Sequence, residues 1–441
     1  MPNFFFLFLL AIFSSDAAFA LDKHQVRDWV ISHSRSRPLP TIAPVYSDVA
    51  KNLVDEFKFD SLAAMEKAGL QRASLPLNPW SGPYWPTYAG QLANRYGDPE
   101  YQVGSSWQKN TAYLRRMIGI GAMEELSPAE KYDLLVGDKE FTLTRSMIEA
   151  GAPHANASGD VPTWFGLCHG WAPAAFMVSR PQKMITAVSV EGKEISFTPS
   201  DIKALATLLW ANGMQATRFI GGRCEKEKAE RGDPDCFDTN PATWHLAVVN
   251  QIAVSKRSFV MDATATQEVW NQPIISYRYH YINPKNGRRS STLAGAKIAL
   301  SEYREDKFAH RRDRAAFSVV NIEMEVVYGA ETGPSLLPTD SPEQDSQSSV
   351  TYSYDLELDR EDKIVGGEWH SEQHPDFLWV PEKDSEASSP GDKILDRYRD
   401  FRRWSGKSPL WGEWQAAAKK SSASELPLAR IVTRLVEMSR E

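Results

Sequence analysis

Hydrophobic positions change their spacing several times along the chain, and the changes divide it. Residues 4–13, FFFLFLLAIF, form one unbroken apolar run, and small residues follow, ending Ala18-Phe19-Ala20 before Leu21-Asp22. The run is too short to cross a bilayer as a permanent helix and reads as the core of a secretory signal cleaved after Ala20. The expected location is therefore secreted or periplasmic. Between 21 and 75 apolar residues recur at helical spacing, as in Val49, Leu53 and Phe57. Residues 76–104 are rich in Pro, Gly, Trp and Tyr and read as an ordered aromatic loop region. Helical spacing returns over 106–150, where Ser127 is placed as an N-cap and Pro128 at the first helical position.

From 163 onward the pattern is mixed. A helix is expected from Cys168 to about Val178, two short strands within 183–197, and a helix over 199–213 capped by Thr198 or Ser200. TWHLAVVNQIAV (243–254) and SFVMDA (258–263) read as adjacent strands of a hairpin, and 317–329 alternates like a further strand. Residues 332–349 are rich in Ser, Pro, Asp and Gln and read as a flexible loop; strands follow at 350–358 and 363–369. The end of the chain is helical around Asp392–Trp404 and Leu426–Ser439. The expected organisation is a signal peptide (1–20) and a mainly helical region (21–150) suited to a pro-region or cleft cover. A catalytic domain (151–385) and a helical tail (386–441) follow, in the α+β class.

Composition narrows the function classes. Of 441 residues, 42% are hydrophobic and 24% charged, which suits a soluble globular chain rather than a disordered or multi-span membrane one. A net charge of −7 without a Lys/Arg cluster argues against nucleic acid as a partner, and no membrane partner is expected once the signal is removed. The 14 Trp suit a large core or a binding cleft. No HExxH, CxxC or phosphate-cradling glycine loop occurs, so the sequence requires no cofactor.

Export gives the three cysteines meaning. Cys224 and Cys236 flank a polar, turn-rich insert and are the expected disulfide, which leaves Cys168. Cys168 sits in TWFGLCHGWAPAAFMV at the expected start of an apolar helix. A helix N-terminus favours thiolate over thiol and offers N–H groups to an oxyanion. His245 (PATWHLAV) and Asp262 (FVMDAT) fall on the two strands of the expected hairpin, where an Asp can fix the tautomer of a His base. Cys on a helix, then His and Asp on neighbouring strands, is the order of a papain-like site. Singly, each has a plainer role: a core thiol, a packed His, a turn Asp. His169, directly after Cys168, is expected to be structural.

Four stretches resemble the transglutaminase elicitor family of exported transglutaminases: NPWSGPYWPTYAGQLANRYG (78–97), WFGLCHGWAPAA (164–175), CFDTNPATWH (236–245) and VWNQPIISYRYHY (269–281). VGGEW with HPDFLWVP (365–381) also fits. VWNQP is similar to the surface peptide that gives the family its name, although Ile274-Ile275-Ser276-Tyr277 departs from the oomycete form. The resemblance implies a papain-like transglutaminase with Cys168 as nucleophile, His245 as base and Asp262 as orienter. It would join a glutamine side chain of one protein to a lysine or other primary amine. Trp164 and Trp244 are candidates for lining the substrate or oxyanion region and equally for core packing.

Asp233, Asp235 and Asp238 offer hard oxygen ligands at close spacing, so Ca²⁺ is a possible cofactor; a turn explains the same residues. Two further readings stay open. One is a papain-like peptidase, amidase or glutamine deamidase with water as acceptor. The other is a non-catalytic secreted binding protein that uses the aromatic loop.

Overall fold

The computed structural model describes residues 49–222, 239–263, 268–397 and 403–441. Its strands are β1 (Arg72–Ser74), β2 (Ile185–Val188), β3 (Glu194–Phe197), β4 (Thr217–Gly221), β5 (Val260–Asp262) and β6 (Asn271–Ile282). They continue with β7 (Arg289–Ser290), β8 (Ile298–Ala299), β9 (Ser318–Ala330), β10 (Ser346–Leu358), β11 (Ile364–Gly366) and β12 (Phe377–Pro381). All but β2 and β3 join one antiparallel sheet with the path β11-β10-β9-β6-β5-β12-β4. β6 is its axis. β9 pairs along one edge of β6, and the other edge is divided among β5, β1 and β7. β2 and β3 form a separate hairpin. The fold is thus mixed helix and antiparallel sheet.

Strand alternation gives the sheet two apolar faces where β5 and β12 lie. Val260, Phe377 and Trp379 belong to one buried cluster, while Met261, Leu378 and Val380 belong to the other. The first face is covered by helices Cys168–Met177, Pro199–Asn212 and Pro128–Val136 and by the C-terminal helices Gly412–Ser422 and Ala429–Met438. The second is covered by helix Pro241–Val248 and residues 50–75. Over β9 and β10 only the second face is apolar: Val320, Ile322, Met324 and Val326 lie against Tyr352, Tyr354, Leu356 and Leu358.

Local sequence explains the helices of the first face. Ser127 accepts from the Glu130 N–H, Glu130 reaches back to the Ser127 N–H, and Pro128 needs no N–H of its own. Thr198 and Asp201 repeat that box at the start of Pro199–Asn212, of whose 14 residues 13 are buried. A helix buried on all sides must pair its charges. Asp201 meets Lys131 at 2.7 Å, and Lys203 meets Asp340 and the Ser81 carbonyl.

Three expectations are corrected. Residues 243–254 form no strand: helix Pro241–Val248 runs into a π-helical turn over Val249–Val254, and β5 pairs with β6 and β12 instead. His245 is therefore carried by a helix, not by the sheet. Residues 340–345 are not a loose loop. Arg180 pairs with both Asp340 and Asp345, Ser81 N donates to Asp345 at 2.8 Å, and β10 already begins at Ser346. Around 49–75, helical spacing yields a single 3₁₀ turn (Ala50–Asn52) and helix Leu62–Lys67 before β1. The signal peptide, the Cys224–Cys236 pairing and the Asp233, Asp235, Asp238 cluster lie outside the described residues. No described helix is long and apolar enough to cross a membrane.

Candidate functional site

Cys168 opens helix Cys168–Met177, and the helix is seated by a missing side chain. A Cβ on Gly170 would lie 2.2 Å from the Thr207 carbonyl oxygen, so glycine lets this helix touch the buried helix Pro199–Asn212 backbone to backbone. Before the helix, a Cβ on Gly166 would lie 2.6 Å from both the ring and the carbonyl oxygen of Tyr84. That contact lays residues 84–87 along 165–167: Leu167 N donates to the Tyr84 carbonyl and Thr87 N to the Phe165 carbonyl. Trp85, fully buried next to Tyr84, holds φ +47°, in the left-handed region that non-glycine residues rarely adopt.

Cys168 is a free thiol, 4% exposed. Asn271 Nδ2 lies 3.5 Å from its sulfur, and the Val269 carbonyl lies 3.7 Å away. Asn271 Oδ1 accepts from the indole N–H of Trp379 at 2.9 Å, which fixes the amide so that its nitrogen points to sulfur. Asp262 is the register partner of Asn271 across β5 and β6, so both side chains project from the same face. Its Oδ1 accepts from the Trp270 N–H at 3.0 Å.

The electrostatics differ from the expectation of a ready thiolate. Burial pushes the thiol up to about 11; the Asn271 donors pull it down, and the Glu331 and Asp262 carboxylates push it further up. His169 is buried and held neutral, its ring lowered to about 4 by desolvation.

The structure brings Cys168 and Asp262 to one face and leaves His245 on the other. The His245 ring is fully buried in the second cluster, with Nδ1 2.8 Å from the Tyr354 hydroxyl and the Tyr279 ring 4.7 Å away. Burial lowers it to about 3. Trp244 is on that face too, packed edge-on against Tyr352, so it lines no thiol pocket. Trp164 is half-buried on the Cys168 side, against Phe165. The same face holds residues that sequence reasoning passed over: Asn271, Trp379, Trp270, Tyr84 and Glu331. Asn271 and Trp270 stand inside the quoted VWNQP stretch, which supplied a signal. Here that stretch is no surface peptide, for Asn271–Ile275 are buried in the axial strand.

No group of three or more His, Cys, Asp or Glu among the described residues is placed to hold a metal ion. Asn240, next to the calcium candidates, caps helix Pro241–Val248 by accepting from Ala242 N at 2.9 Å.

A family profile described as Transglutaminase elicitor matches residues 52–402. The crystal structure of the GP42 transglutaminase from Phytophthora sojae is similar in fold, with a TM-score of 0.50 and 22% sequence identity; the match covers 76% of this chain and 93% of that one. Comparison with curated proteins gave no significant match.

Proposed function

The chain belongs to the transglutaminase elicitor family, and from that premise we propose that it is a cysteine-dependent acyltransferase of transglutaminase type. Cys168 Sγ attacks the carboxamide carbon of a protein glutamine, ammonia leaves, and a thioester remains. A primary amine then displaces the sulfur, giving an isopeptide and the free thiol. Water in place of the amine gives glutamate.

The observation that carries this reading is the thiol held at a helix start against the Asn271 amide, on the sheet face that also carries Asp262. A thiol near 11 is protonated at neutral pH, so its proton must leave as the S–C bond forms. Asp262 is the carboxylate paired in register with Asn271, and we assign it that proton. His245, expected from sequence to be the base, would have to leave Tyr354 and cross the sheet; in this reading it packs the second core. Asn271 positions the sulfur, and the first turn of the cysteine helix faces the developing oxyanion.

The test is transfer of a tagged primary amine to a glutamine-rich protein by the full chain, with and without Ca²⁺, beside Cys168→Ala. Labelling that requires Cys168 supports the reading. Ammonia or new peptide ends without labelling would instead mean a deamidase or peptidase.

A further inference from the structure

Around the buried sulfur the surface is aromatic and acidic. Tyr84, Trp164, Phe165 and Trp270 are each half-buried, and the Tyr84 and Trp270 rings meet edge to face at 5.4 Å. Glu331, just past the end of β9, is half-buried, and its carboxylate acts on both the Tyr84 hydroxyl and the Cys168 thiol. Its Oε1 accepts from Gln272 Nε2 at 2.9 Å, and Gln272 follows in the chain the Asn271 whose amide touches the sulfur. On its other side, Thr332 N donates to the Gly82 carbonyl at 3.1 Å, tying Glu331 to the strand of chain that carries Tyr84. Gln272 is itself 5% exposed, so the carboxylate is held on a rigid support.

Among the described residues no lysine or arginine pairs with Glu331, although elsewhere in this chain buried and half-buried carboxylates such as Asp55, Asp201, Asp340 and Asp355 each have one. A carboxylate partly withdrawn from water and left without a counter-charge, near Tyr84 and the Trp270 ring that Tyr84 meets, is suited to a visiting cation.

We propose that Glu331, with the rings of Tyr84 and Trp270, forms the acceptor subsite, binding the ammonium of a primary amine such as a lysine side chain. The inference rests on the acyl-transfer reading. The chemistry balances without further reagents. The bound ammonium gives one proton to the Glu331 carboxylate and becomes a neutral amine. Its nitrogen lone pair attacks the thioester carbon, the C–N bond forms and the C–S bond breaks. The second proton passes to the departing sulfur, restoring the thiol, and Glu331 releases its proton to solvent. Burial already raises the Glu331 carboxyl, which suits it to take that proton.

The full chain is compared with Glu331→Gln and Glu331→Asp in two assays. The first measures transfer to cadaverine, a cation at neutral pH, and to hydroxylamine, which is uncharged there. Glu331→Gln is expected to raise the KM for cadaverine about tenfold and to leave the KM for hydroxylamine and for the glutamine donor within about twofold. Glu331→Asp should restore part of the loss. Equal effects on both acceptors, or none on cadaverine, would overturn the proposal. The second assay needs no turnover. It compares labelling of Cys168 by a cationic aminoethyl methanethiosulfonate and a neutral methyl one, read from the mass of the Cys168 peptide. The cationic reagent should be preferred, and Glu331→Gln should reduce that preference about tenfold. Charge-selective labelling without any transfer would sink the transglutaminase reading and keep the cation subsite. Transfer with unaltered selectivity in Glu331→Gln would sink the subsite and keep the reading.

Discussion

Asn271 presents its side-chain nitrogen to the sulfur of Cys168 at 3.5 Å, and it does so because Trp379 holds the other end of the same amide. Three residues far apart in the chain therefore set one orientation. Trp379→Phe removes the indole donor and leaves Asn271 Oδ1 buried without it. The expected cost is about 1–3 kcal/mol of stability. The freed amide can turn its oxygen toward the sulfur, so alkylation of Cys168 should slow. Denaturant midpoints and labelling rates check both effects; unchanged labelling would remove Trp379 from the site.

Cys168→Ala should abolish transfer with the melting temperature nearly unchanged. Asp262→Asn should lower the rate by about 10²–10⁴. His245→Gln is expected to act differently: it disturbs the contact with Tyr354 and lowers stability, while Cys168 stays open to slow alkylation. If His245→Gln kept full stability yet lost all transfer, the assignment of the proton to Asp262 would be wrong.

The thiol should titrate late. With Cys168 pushed up to about 11, its alkylation rate should keep climbing with pH toward that value. An ordinary cysteine would level off near about 8.5. A plateau near neutrality, followed by stopped-flow or mass labelling, would contradict the burial described for this sulfur.

Gly170→Ala should destabilise the fold, since the new methyl meets the Thr207 carbonyl oxygen at 2.2 Å and two helices must part. Overpacking of this kind costs about 1–3 kcal/mol. Because Cys168 is on the displaced helix, activity should fall more than stability alone explains. An unchanged urea midpoint would show that the helices do not touch there.

Acid should weaken the fold through its buried histidines. Burial lowers His245 to about 3 and His169 to about 4 in the folded chain, below the usual 6.5. Between those values and 6.5 the unfolded chain binds more protons, so their contribution is full above 6.5 and is lost as pH falls toward 3. Asp133 acts the other way: burial raises it to about 7, so its contribution is full below 3.8 and is lost as pH rises to 7. Urea midpoints from pH 4 to 7 for the parent chain and His245→Phe should differ in slope, the variant being flatter.

Much of the fold was legible because local signals agreed with burial. Ser127-Pro128 announced one helix and a cap at Thr198 or Ser200 another, Thr198 being the one the structure uses, and alternation marked 317–329 as the strand now bounded as Ser318–Ala330. The failure at 243–254 has a clear cause. TWHLAVVNQIAV is mostly apolar with no clear period, and such a run alone cannot separate a buried strand from a buried helix. Asn240-Pro241 carried the missing signal, the same cap-then-proline pair that worked at Ser127-Pro128. The candidate site was only half legible. Cys168 could be found from its helix start, and Asp262 from its strand. Asn271 and Trp379 meet only through sheet register and tertiary packing, which no local pattern encodes.

The divided edge of β6 also sets a timetable for the newborn chain. Next to β5 lies β12, whose Trp379 appears only when 379 of the 441 residues have been made. Until then Asn271 lacks its indole clamp and the second edge of β5 is bare. A chain leaving the ribosome, or threading through an export channel in order, therefore carries no finished thiol pocket until synthesis is nearly over. Pairing over such sequence distances is slow. In the acyl-transfer reading proposed above, topology itself would switch the chemistry on late, when the chain has almost left the machinery whose lysines and glutamines it would otherwise meet.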